Sequence, residues 1–234
     1  MRAPETPPAE SPRYEPTSRT RLRRRPQRGH FERATIHAIL DEALVCHVGF
    51  ADAGHPVVIP MTYARVGDAL YLHGAPRNRM LGLLESGVPV CVTVTLLDGL
   101  VLARSAFHQS MNYRAVMLFG RATAVTDPAE SEAALRAVVE HVIPGRLADV
   151  RPPSREEVAG TLVLRFPIEE ASAKIRGGGP LDDEADYALE TWAGVVPLRL
   201  VAGTPEPDAR LAPGAKVPAY AERYERPRSK GDAR

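Results

Sequence analysis

The chain has 234 residues, 44% hydrophobic and 25% charged, with a net charge of +1. That length holds one good-sized domain with tails or two small ones, the composition is that of a soluble globular protein, and the charge balance argues against a dedicated nucleic-acid binder. No run of about 18 apolar residues occurs, so no membrane span is expected. The two cysteines, Cys46 and Cys91, sit in apolar runs at a spacing that fits no zinc motif, so buried reduced thiols and a cytoplasmic location are expected.

Residues 1–28 are rich in Pro, Arg, Glu and Thr and poor in bulky apolar side chains, which predicts a disordered arm. Its "RTRLRRRPQR" stretch packs six Arg into ten residues and is read as a solvated arm, with contact to phosphates or acidic partners as the alternative. No apolar segment follows the basic start, so no signal peptide is expected. Polar residues follow Arg23-Arg24, which sets twin-arginine export aside. A folded domain is placed at 29–200, and a flexible tail at 201–234, where "GTPEPDARLAPGAK" offers little to pack.

Within the domain, "ERATIHAILDEA" sets Ile36, Ile39, Leu40 and Ala43 at helical spacing. "LVCHVGFA" predicts a strand and "DAGH" a turn, with Gly54 free to take positive φ. "PVVIPMTYAR" predicts a second strand, in which Pro60 forbids one ladder bond and marks an edge, a bulge or a ligand-facing stretch. A third strand, "ALYLHG", leads into a helix over "RNRMLGLLES", with Met80, Leu83 and Leu84 on one face. "VPVCVTVTLLDG" predicts a strand in which Val90, Val92 and Val94 alternate with Cys91, Thr93 and Thr95. "YRAVMLFGRATAV" predicts the next strand, with a bend at Gly120. The clearest helix is "TDPAESEAALRAVVEHVIPG": Asp127 is the N-cap, Pro128 opens the first turn, Glu130 completes the cap and Gly145 follows the end. "SREEV" opens a shorter helix with a Ser154–Glu157 capping box, and "TLVLRFPI" is the last of six strands. Early hairpins with helices inserted later predict a mainly β fold with helices. A small mixed barrel fits this better than a doubly wound parallel sheet.

No dinucleotide fingerprint, Walker loop, zinc-protease motif or nucleophile elbow is present. "RGGGP" at 176–180 has no helix after it and is read as a flexible linker. His37 and His141 are read as helix-surface residues and His47 as a core histidine. Two polar clusters remain. At "HGAPRNRM" a strand meets a helix start, where free N–H groups, Arg77 and Arg79 suit a phosphate. Gly74 allows a tight turn and His73 can donate to a phosphate or a ligand ring. A solvated helix start is the alternative. The second cluster, "ARSAFHQSMNYR" at 103–114, is longer than a hairpin needs. It predicts a binding loop, a subunit contact or a plain solvated loop.

The order of these segments, from "ILDEALVCHVGFADAGHPVVIPMTYAR" through "LYLHGAPRNRMLGLL" and "VCVTVTLLDGLVLARSAFHQSMNYRAVMLFGRA" to "WAGVVPL", resembles the pyridoxamine 5′-phosphate oxidase-like superfamily of FMN-binding split barrels. The branch it resembles is that of flavin-nucleotide-binding proteins related to nitroimidazole reductases. The likeness spans about Arg24 to Leu198. It implies a six-stranded antiparallel split barrel, a homodimer with FMN at the subunit interface, and an FMN-dependent oxidoreductase reducing a small electron-poor molecule. Under the resemblance the second strand (Ile59, Pro60, Met61, Thr62) lines the flavin. The corner (His73, Gly74, Arg77, Arg79) holds its phosphate, and Ser105, His108, Asn112 and Tyr113 of the partner close the site. Trp192 lies near the flavin or packs the tail on the barrel. "PRNRM" replaces the oxidases' Ser-Arg-Lys phosphate motif, and their C-terminal Arg and His pattern for the B6 substrate is missing, so vitamin B6 oxidation is not expected. The same barrel hosts haem, for which His47, His73 and His108 are the axial candidates, or the deazaflavin F420. A flavin-binding protein without turnover is a further alternative.

Overall fold

A computed structural model describes residues 12–226. In chain order its strands are β1 (Gly29–His30), β2 (Val45–Asp52), β3 (His55–Thr62), β4 (Ala64–Val66), β5 (Ala69–Gly74), β6 (Val90–Leu102), β7 (Ser110–Gly120), β8 (Thr123–Ala124), β9 (Leu162–Pro167), β10 (Glu170–Arg176) and β11 (Gly194–Pro197). The helices are α1 (Arg33–Glu42), α2 (Arg79–Glu85), α3 (Pro128–Val142), α4 (Arg155–Ala159) and α5 (Ala219–Glu222). All pairings are antiparallel. The larger sheet runs β1-β10-β7-β6-β2-β3, with β11 on β6, and the smaller runs β4-β5-β9-β8. The fold is mainly β with a few helices, as the order of segments predicts.

Alternation on β6 decides which face is core. Val90, Val92 and Val94 are buried while Cys91 and Thr93 are only partly covered and Thr95 is exposed. The valines meet Leu70 and Leu72 of β5 and Leu164 and Phe166 of β9, closing the space between the sheets. Each such side chain contributes on the order of 1.5–3 kcal/mol through removal from water. The chain passes from the larger sheet to the smaller at Tyr63. That residue is fully buried, and its hydroxyl donates to Leu40 O at 2.5 Å. It returns for the last time at Ile168, whose N–H donates to Asp68 O at 2.8 Å. Arg114 on β7 fastens α1 to the larger sheet. Its guanidinium donates to both oxygens of Glu42, at 2.5 and 2.8 Å, and to both oxygens of Asp98, at 2.7 and 2.9 Å. Asp98 sits in a register shift of β6. These hydrogen bonds hold the Arg114 charge well above the ordinary arginine range.

Several expectations are corrected. Residues 12–28 pack against the domain: Tyr14 and Thr20 are buried, and Arg19 and Thr17 both donate to Glu170. Composition hides this because one aromatic anchor suffices to dock an extended segment. Residues 1–11 lie outside the described residues. The tail is likewise docked at its end. Arg226 donates to Asp41 O, Glu42 O and His141 O, and Tyr224 donates to Val142 O at 2.7 Å, so the tail supplies donors to carbonyls at the ends of α1 and α3. Glu130 accepts from Tyr71 at 2.7 Å; Asp127 alone caps α3, and the Ser154–Glu157 box forms as predicted. β10 is a strand that the pattern reading misses, because its inward residues Ala171 and Ala173 are small.

Candidate functional site

The corner between β5 and α2 is built by packing. Gly74 has no positive φ; a Cβ there would lie 2.9 Å from Cδ1 of Leu81, which is fully buried. Glycine is therefore needed for the close approach of α2 to the strand end, a different reason from the tight turn expected. The helix starts at Arg79, and Asn78 caps it by accepting from Leu81 N at 3.2 Å. Arg77 lies in the preceding turn and is exposed. Arg79 is 81% exposed and pairs with Asp52 at the end of β2, tying the corner to the larger sheet. His73 carries the most telling atom: its Nδ1 is buried without a hydrogen-bond partner among the described residues. Burial also lowers its pKa below the ordinary value, so the ring is neutral at neutral pH.

β3 is the edge strand of the larger sheet, which accommodates Pro60. Its residues divide by face. Ile59 and Met61 pack on the core, while Pro60 and Thr62 lie on the opposite, exposed face. Pro60 pairs with His47, which is exposed there and is not a core histidine. The period of two carries Cys46 inward and so His47 outward.

The second cluster closes the far end of β6 and β7. Gln109 staples the loop by donating to Ala103 O at 2.9 Å and Ser105 O at 3.1 Å. Ser105 Oγ, Arg104 Nε and His108 Nε2 are all buried without a hydrogen-bond partner among the described residues. The His108 atom is 3.3 Å from Asp183 Oδ2, close enough for charge attraction but not aligned for a hydrogen bond. Asn112 is buried and committed: its amide donates to Gly178 O at 3.0 Å and its oxygen accepts from Arg176. Tyr113 is half-buried on β7, paired with Leu97 and Arg176. Trp192 is 65% exposed, its ring lying against Gly194, where a Cβ would meet it at 2.9 Å.

The residues thus form two groups. One holds His73, Gly74, Arg77 and Arg79 at the corner; the other holds Ser105, His108, Asn112 and Tyr113, with Trp192 beyond; Pro60 and Thr62 lie on the exposed face of β3. Among the described residues no hydrogen bond or ion pair joins the two groups within one chain. Sequence reasoning missed Arg176, the buried partner of Asn112, and Asp182, whose carboxylate accepts from Arg104 N at 2.9 Å and Arg104 Nη1 at 3.0 Å. The only signal for Arg176 was its place before three glycines.

Comparison with known proteins identifies the family. A family model described as pyridoxamine 5′-phosphate oxidase matches residues 32–175. Among solved structures, the flavocytochrome Anf3 from Azotobacter vinelandii is 42% identical, with 90% of this chain and 97% of that chain covered and a TM-score of 0.83. The FAD and haem binding protein from Mycobacterium smegmatis is 36% identical over 82% of this chain and 95% of that one, with a TM-score of 0.79. A candidate 5-nitroimidazole antibiotic resistance protein from Bacteroides thetaiotaomicron is 28% identical over 62% of this chain and 84% of that one, at a TM-score of 0.53. No curated protein matches. The chain belongs to the pyridoxamine 5′-phosphate oxidase-like family of flavin-binding split-barrel proteins.

Proposed function

We propose that this protein is a flavin-dependent oxidoreductase that also binds haem, and that its flavin is FAD in place of the FMN that the sequence resemblance implies. The observation that carries this is near-full-length similarity to two proteins, one described as a flavocytochrome and the other as binding FAD and haem. The side chains fit such ligands. Native proteins rarely leave buried polar atoms without a hydrogen bond, and among the described residues four stand so in the two clusters: His73 Nδ1, Arg104 Nε, Ser105 Oγ and His108 Nε2. Flavin and haem, when bound, supply hydride and single-electron chemistry that side chains lack.

In this reading Pro60 and Thr62 present the edge-strand backbone to the flavin, and Arg77 and Arg79 neutralise its phosphates. The neutral ring of His73 and the imidazole of His108 offer ring nitrogens to haem iron or to a ligand oxygen. The substrate class is a small, flat, electron-poor molecule, and the reductant a nicotinamide nucleotide or another reduced carrier. Because the two residue groups are not joined within one chain, we propose that a homodimer brings one group from each subunit together. The deazaflavin F420 has no support among these relatives.

The test is the visible spectrum of the purified protein, followed by chromatography of what heat releases. Flavin bands with a Soret band and released FAD are expected. Released FMN without a Soret band would restore the flavin-only FMN reading. A colourless protein that takes up neither FAD nor haem would overturn both.

A further inference from the structure

One basic feature lies apart from the corner on β5 and α2. A cleft of about 380 Å³ opens at the end of β10, in the other sheet, lined by Arg25, Gln27, Arg28, Arg176 and the Gly177–Gly178–Gly179 turn. Among the described residues its lining contains three guanidiniums and no carboxylate. Arg176 is only 7% exposed, yet among the described residues it donates only to neutral oxygens: Asn112 Oδ1, Gly178 O and, at 3.2 Å, Gly179 O. Burial and the neighbouring Arg28 charge both disfavour its protonated form. A buried cation facing a second cation is costly unless an anion joins them.

The backbone gives an independent indication. Gly178 takes φ +87°, which explains that glycine alone. Gly177 and Gly179 have no positive φ, and a Cβ on any of the three would meet nothing within 4 Å. Packing inside this chain therefore gives no reason for Gly177 or Gly179. Bare backbone beside open space suits close approach of a ligand. Among the described residues the three amides donate no hydrogen bond to another protein group. On the opposite wall Arg25 itself adopts φ 58°, a left-handed conformation uncommon outside glycine, and Arg28 N donates to Arg25 O at 3.0 Å. The "RTRLRRRPQR" stretch and the "RGGGP" turn, separate in sequence, become two walls of one cleft because β1 pairs with β10.

We infer that this cleft is a second anion site, distinct from the flavin corner, that takes a diphosphate-bearing ligand. Paired guanidiniums bond phosphate oxygens in fork geometry and free amides complete the cradle. Two phosphates suit three arginines and this volume better than one. Inorganic pyrophosphate and the diphosphate of a nucleotide share this chemistry.

The test is calorimetric titration of the full-length protein, with its cofactors in place, using inorganic pyrophosphate and, separately, ADP. Saturable binding of either is expected. It should weaken at least about tenfold in R25A/R28A, whose arginines carry no ion pair among the described residues, and persist in R77A/R79A. Tighter ADP binding would identify a nucleotide, and equal affinity a free diphosphate. Absence of saturable binding, unchanged affinity in R25A/R28A, or loss in R77A/R79A would overturn the inference. Circular dichroism of each variant keeps loss of binding apart from loss of fold.

Discussion

Single side chains set the chemistry of this domain through burial. Tyr63 and His141 lie together under the end of α1, with ring centroids 5.0 Å apart. Tyr63 fills a fully buried position and bonds Leu40 O, and desolvation keeps its hydroxyl protonated far above the usual range. Tyr63→Phe should cost about 1 kcal/mol, read as a shifted midpoint in urea unfolding with unchanged slope. His141 Nε2 bonds Ala43 O at 2.7 Å, and burial lowers its pKa, as it does for His37 and His73. Depressed folded values mean that the unfolded chain binds more protons below about pH 6.5. Stability contributed by these rings is then present above that pH and lost as pH falls through the folded values. A thermal melting series from pH 7.5 to 5 should show a falling midpoint, with a shallower fall in His141→Gln. Parallel curves would show that His141 does not contribute.

At the scale of elements, the β5–α2 joint couples packing to the site. Gly74→Ala would bring a Cβ to 2.9 Å from Cδ1 of the fully buried Leu81, so that side chain or α2 must give way. We expect a loss of about 1–3 kcal/mol. The corner carrying Arg77 and Arg79 would move as well, so flavin content after purification should drop. A variant with wild-type flavin content would separate the corner from cofactor binding. The edge position of β3 shows the same coupling: an edge can host Pro60 without losing a needed ladder bond, and it leaves Pro60 and Thr62 accessible.

The whole molecule presents an uncovered face. Val45, Val58, Leu97, Leu100, Met111 and Met117 project from β2, β3, β6 and β7 on the side of the larger sheet away from the core, between 38% and 64% exposed. Apolar stripes of this kind mark association surfaces. We predict a dimer by light scattering, with Met117→Asp shifting the protein toward monomer and lowering cofactor content together. A monomer with full cofactor occupancy would exclude a composite site. No helix among the described residues is long and apolar enough to cross a membrane.

The sequence by itself determined the strands with strong alternation, the capped helices and the corner with its arginines, because these rest on local periodicity and capping chemistry. Val90–Val92–Val94 and the Ser154–Glu157 box depend only on near neighbours in the chain. Tertiary structure alone decided the rest. It turned His47 outward while docking Tyr14 and Arg226 onto the domain. It left His73 Nδ1 and His108 Nε2 without a hydrogen-bond partner among the described residues, and it brought Arg25, Arg28 and Arg176 into one cleft. The physical reason is that burial and charge proximity are properties of space: they come from strands paired across more than a hundred residues, and a local pattern carries no record of them.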